Sequence, residues 1–111
     1  MDGVSLEEFQ QRVIAACADS PVVQNIIMYE ARPNAVRLRL FLIDQTFLDV
    51  FYNEWKGRVS FAWIVNDQRV FGADNAGDWH WHPREDPSQH VPSDHEIPFE
   101  EFLKEIEKTL G

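Results

Sequence analysis

His80 and His82 flank Trp81 in the stretch Trp79-His80-Trp81-His82-Pro83, shortly after Asp74 and Asn75. Imidazoles titrate near neutrality, so two of them can work as acid and base at physiological pH. One takes the proton of an RNA 2′-hydroxyl while the other protonates the departing 5′-oxygen. An arginine beside them would stabilise charge on the transferring phosphate, and Arg84 or the strand residues Arg37, Arg39 and Arg69 are the candidates. Trp79 and Trp81 are candidate platforms for an unpaired base. An opposing reading makes the two tryptophans core plugs and leaves the histidines in water. The same histidines, if extended, point one way and could share an ion, with Asp74, Asp78 or His90 completing the set. No H-E-x-x-H motif and no cysteine pair accompanies them, so no metal or cofactor is assigned.

The elements that must position these residues follow from periodicity. Leu6, Phe9, Val13, Ile14 and Cys17 recur at helical spacing, Ser5 and Glu8 form a capping-box signature, and Ser20-Pro21 ends the run. Phe99, Phe102, Leu103, Ile106 and Leu110 make a second apolar stripe between Pro98 and Gly111, with Glu100 and Lys104 spaced for an ion pair on its wet face. Between them, about 22–75, the period changes to two. Val36, Leu38, Leu40 and Leu42 oppose Arg37, Arg39, Phe41 and Ile43, and Leu48, Val50 and Tyr52 continue the apolar row. For the rows to share a face, the loop near Asp44-Gln45-Thr46 must have an odd length, expected to be three residues. Lys56-Gly57 reads as a two-residue turn, which sets Tyr52 against Phe61 and Val50 against Trp63. A further turn at 66–68 leads into Arg69–Ala73, whose facing is not fixed because Val70 and Phe71 alternate. With an earlier strand at about 22–32, the expectation is an α+β domain: an antiparallel meander of about five strands with an amphipathic helix at each end. Residues 76–97, rich in His, Trp and Pro, read as an irregular loop of a single domain spanning 1–111.

Charge narrows the partners. The 111 residues carry 19 acids and 10 bases, a net of −9, which argues against general attraction to nucleic acid. The charge is uneven, however: −3 over residues 1–22, +1 over 23–73 and −7 over 74–111, so a local basic strip remains open in the middle segment. With 44% hydrophobic residues the chain is far from a disordered composition. It has neither a membrane-length apolar run nor the basic and apolar regions of a signal peptide, so a cytoplasmic location is expected and no membrane partner. The lone Cys17 sits in the helical stripe between alanines and reads as a buried, inert thiol. Arg37 and Arg39 share a face with Phe41, Asp49 and Phe51, which fits either a basic-aromatic RNA surface or a half-solvated face with ion pairs and cation–π contacts.

The succession RLRLFLIDQTFLDVFY, RVSFAWIV, ADNAG, WHWHP and a closing amphipathic helix resembles the TumE family of small prokaryotic toxin–antitoxin toxins, over roughly residues 35–110. The family pattern runs Asp-Asn-Ala-Pro into paired histidines. Here Gly77-Asp78-Trp79 intervenes and the histidines alternate with tryptophan. The resemblance implies site roles for Asp74, Asn75, His80 and His82, and an antitoxin partner. Two functions are carried forward. One is a toxin-type effector acting on RNA through residues 74–90. The other is a non-catalytic interaction domain that binds a protein through its sheet face or acidic C-terminal helix.

Overall fold

A computed structural model describes residues 3–111. Ser5 starts helix α1 (Leu6–Ala18) by accepting the Glu8 N–H at 3.1 Å, as the capping signature requires. The Leu6 N–H, another orphan donor of the first turn, goes to the Glu54 carboxylate at 2.9 Å, so a turn of the sheet helps cap the helix. Phe9, Val13 and Cys17 form its buried stripe, and Phe9 stacks on Tyr52 with ring centroids 4.6 Å apart. Helix α2 (Phe99–Leu110) begins after Pro98, whose carbonyl accepts from Glu101 and Phe102. The expected Glu100–Lys104 pair is replaced. Glu100 faces Arg12 of α1 at 4.0 Å, and Lys108 pairs with Glu105 at 2.9 Å.

Between the helices the chain forms one antiparallel sheet in chain order: β1 (Val23–Arg32), β2 (Ala35–Leu42), β3 (Phe47–Asn53), β4 (Arg58–Val65), β5 (Gln68–Asp74), β6 (His80–His82) and β7 (Val91–Pro92). The five expected strands are present, and the meander continues into the segment expected to be irregular. Leu42 and Thr46 close a three-residue loop through the Leu42 N–H to Thr46 carbonyl bond at 2.9 Å, with Gln45 at positive φ. Leu40 therefore opposes Leu48 and the apolar rows share a face.

The β3–β4 register differs from the expected one by two residues. Asn53 opposes Arg58, so Val50 faces Phe61 and Tyr52 faces Val59 across a four-residue loop, Glu54 to Gly57. The Asn53 side chain accepts the Lys56 N–H at 3.0 Å and Gly57 takes a positive φ, which together stabilise the longer turn. A shift of two leaves every side chain on its face. The β4–β5 turn is Asn66-Asp67, both at positive φ, and a bulge at Val70 opposite Trp63/Ile64 explains why Val70 and Phe71 both pack against the core. Two bulges in β1, at Gln24 and Tyr29, break that strand's alternation in the same way.

Both helices lie on one face of the sheet. Leu38, Leu40, Leu48, Val50, Val59, Phe61 and Ala73 are buried there with the helical stripes. Phe102 is the aromatic hub of α2: it packs on Phe61 at 5.4 Å, Phe71 at 5.3 Å and Trp81 at 6.5 Å between centroids. The other face carries no helix. No helix of the described residues is long and apolar enough to cross a membrane.

Phe102→Ala is expected to cost about 3–5 kcal/mol in chemical denaturation, because truncating a fully buried ring leaves a cavity. Burial pushes the Cys17 thiol up to about 12, so the native chain should resist alkylation at pH 8 and react at a rate set by unfolding, read by mass spectrometry. His95 bonds Asp94 at 2.5 Å and Glu101 at 2.9 Å, and both carboxylates raise its pKa. Its contribution to stability is thus complete below the free imidazole value of about 6.5 and lost as pH rises through the higher folded value. An NMR titration should place the His95 midpoint above that of a free histidine.

Candidate functional site

Strand β6 has three residues, and their facing follows from the period of two. Trp81 turns to the helices, stacking on Phe71 at 5.6 Å. His80 and His82 must then project from the opposite, helix-free face. Asp74 of β5 lies directly across from His80, and Gly72 across from His82. A Cβ at Gly72 would come within 2.9 Å of the Phe61 carbonyl oxygen and 3.1 Å of the Arg69 Cδ, and 3.7 Å from the His82 ring. The glycine thus makes room for the Phe61 carbonyl and the Arg69 side chain beside β5.

The two histidines are 7% and 3% exposed, so they are not left in water. His80 Nδ1 lies 2.8 Å from the Asp78 carbonyl oxygen, and His82 Nδ1 lies 3.1 Å from that of Pro87. A carbonyl only accepts, so each Nδ1 carries a proton and donates it. Each Nε2 is thereby turned inward to Asp74: His82 Nε2 is 2.8 Å from one carboxylate oxygen and His80 Nε2 is 3.2 Å from the other. Burial pushes the Asp74 carboxyl up, but the Ala76 N–H, the His82 hydrogen bond and the charge of both imidazoles outweigh it, and the net direction is down. With Asp74 ionised and both rings neutral, lone pairs would face lone pairs. Both Nε2 atoms and the carboxylate thus converge on one buried place.

The third imidazole is His90, which is exposed. Its ring stacks on His80 at 4.5 Å and 3°, and meets His82 edge-on at 4.8 Å. The connection from Pro83 to His90 folds back over the open face, where the Pro87 carbonyl also accepts from Arg69 at 3.2 Å. Nitrogens of His80, His82 and His90 all lie within 4.8 Å of one another, a grouping that could hold a metal ion, and Asp74 borders the first two.

The other residues singled out from the sequence go elsewhere. Asn75 accepts from the Val59 N–H and donates to the Gly57 carbonyl, each at 2.8 Å, and so ties the end of β5 to β4. Trp79 packs against Phe61 and Trp81 against Phe71, the core-plug alternative. Arg84 lies 4.6 Å over the ring of Trp63, a residue of the helix-covered face, and so does not join the histidines. Arg37 and Arg39 do lie on the open face. Arg37 pairs with Asp49 and Glu30 and covers Phe51, while Arg39 sits between the rings of Tyr29 and Phe47.

Two cross-strand rows join these arginines to the histidines. One runs Arg37, Phe51, Ser60, Asp74, His80, and the next runs Arg39, Asp49, Ala62, Gly72, His82. A groove of about 340 Å³, lined by Arg37, Phe51, Asn53, Lys56, Arg58 and Ser60, reaches the neighbour of Asp74. Lys56 and Arg58 were not singled out from the sequence, because their place beside Ser60 depends on the longer β3–β4 turn. On that turn Trp55 is 74% exposed, whereas Trp79 and Trp81 pack against the core.

Neither curated proteins nor solved structures gave a match to this chain. A protein-family model did, and it spans most of α1, the sheet, the histidine cluster and α2. It is the model described as Toxin TumE, matching residues 10–110, and the chain belongs to that family of toxins.

Proposed function

We propose that this toxin-family chain acts on RNA, holding a short unpaired stretch in the basic groove and presenting a phosphodiester to Asp74, His80 and His82. The observation that carries this reading is the shared row: Phe51 and Ser60, in the groove, lead directly to Asp74 and His80. From Phe51 to His80 is three strand spacings, about 14 Å. Lys56 and Arg58 neutralise phosphates along the groove, and Trp55 or Phe51 stacks a base. His80 and His82, held by their Nδ1 contacts to carbonyls, turn their Nε2 atoms to Asp74 and so mark one buried place for positive charge, whether a proton or an ion. Positive charge held in a buried site stabilises the negative charge that develops on a transferring phosphate, without reorganisation at the moment of reaction.

A partner antitoxin has a surface of its own in this reading. Strand β1 is an edge of the sheet and exposes Ile27, Met28 and Tyr29. An extended segment of a second protein can add to such an edge through main-chain hydrogen bonds.

Incubating the purified chain with single-stranded RNA tests the proposal. Wild-type protein should cleave, and His80→Gln/His82→Gln, checked for folding by circular dichroism, should lose cleavage. No cleavage by clean wild-type protein, or unchanged cleavage by the double variant, would sink it. Lys56→Ala/Arg58→Ala should leave the fold intact, because both side chains are exposed. Removing two phosphate contacts should lower the salt slope of RNA binding by about 1.4.

A further inference from the structure

We propose that Asp74, His80, His82 and His90 form a binding site for a divalent transition-metal ion of the zinc class. This deepens the RNA reading, on which it rests only for what the ion's charge accomplishes.

The arrangement of protons leads to this assignment. Each buried histidine gives its Nδ1 proton to a backbone carbonyl, Asp78 at 2.8 Å and Pro87 at 3.1 Å. That is the outer-shell contact that fixes the tautomer of a metal-bound imidazole and leaves Nε2 free to ligate. Both Nε2 atoms then converge with a carboxylate, at 3.2 and 2.8 Å from its two oxygens. Ligand atoms on one ion with bonds of about 2 Å sit roughly 3 Å apart, so these separations fit a shared ion.

A proton could supply the missing charge for one contact, but His80 resists that explanation. Its side chain is 8% exposed, and Nε2 lies close to Asp74 yet makes no hydrogen bond, because the geometry is wrong for an N–H pointing at that oxygen. An orphaned ring nitrogen in a buried site is costly, and it is aimed into the cluster. A metal accepts this lone pair where the carboxylate cannot.

His90 supplies the third imidazole. The ligand nitrogens of the three imidazoles all lie within 4.8 Å of one another, and His90 is the exposed ring of the three, on the folded-back connection. Three imidazoles and a carboxylate are a nitrogen-rich set that suits zinc, cobalt or nickel over magnesium or calcium. Arg69 lies beside the cluster but its guanidinium is held at the Pro87 carbonyl, so it braces the connection and does not fill the site.

Isothermal titration of the full chain, stripped with a chelator, with zinc chloride and separately with magnesium chloride, tests the site. The expected result is one zinc per chain with at least 100-fold preference over magnesium, and visible d–d absorption when cobalt replaces zinc. His82→Gln should weaken zinc binding 100-fold or more. Because a change at buried His82 can impair folding, His90→Gln at the exposed ring is the second variant, expected to weaken zinc at least 10-fold. His95→Gln, outside the cluster, should bind as wild type. Absence of stoichiometric zinc binding, or wild-type affinity in His90→Gln, overturns the proposal. RNA cleavage by the stripped chain with no zinc binding would remove the metal and leave the RNA reading standing. Stoichiometric zinc binding without cleavage would do the reverse.

Discussion

The site depends on a parity constraint. A strand must send successive side chains to opposite faces, so burying Trp81 between Phe71 and Phe102 forces His80 and His82 to the far side of the sheet. The apolar demand of the core thus aims the polar residues without any contact to them. Asp74 and Gly72 follow from the same rule on β5, one supplying the carboxylate and the other the space. The helices never touch the histidine cluster, yet α2 holds its orientation through a single ring.

The cluster is expensive for so small a protein. Two imidazoles and a carboxylate are buried together, and such groups are tolerated only when their hydrogen-bonding capacity is met or when they hold a charge of opposite sign. Four of the five polar contacts they make among themselves and with the backbone are ordinary hydrogen bonds: the two from Nδ1 to carbonyls, His82 to Asp74, and the Ala76 N–H to Asp74. The remainder centres on His80 Nε2, which has an acceptor nearby but no bond to it. A fold that needed only stability would replace these groups with apolar ones.

Much of this architecture is legible in the sequence, and the exceptions have physical causes. The helices were readable because their stripes repeat every three or four residues over several turns, and the odd β2–β3 loop because one apolar row had to meet another. The Asn53 side chain lengthened the next turn, a local hydrogen bond that no periodicity reports. Bulges at Gln24, Tyr29 and Val70 erase alternation where they occur. Strands β6 and β7 are too short to show a pattern in a window, although Trp-His-Trp-His is itself an alternation, with the apolar rings on one side and the imidazoles on the other. Asp74, His80 and His82 were found by residue type and resemblance. His90 is named beside them as a possible fellow ligand but is placed there by the chain's return, which no periodicity reports, and Trp55, Lys56 and Arg58 join only through the turn.

The two faces of the sheet also differ electrically. Helix α2, with Glu100, Glu101, Glu105 and Glu107, lies on the covered side, whereas Arg37, Arg39 and Arg58 project from strands on the open side or its rim. The net charge of −9 is thereby spread unevenly, with the acidic helix on the covered side. In the field of a polyanion such a body is repelled as a whole but feels a torque, and the torque turns the basic face forward before contact. For any polyanion the side away from the acidic helix is the side of least repulsion, and the histidines lie on that side.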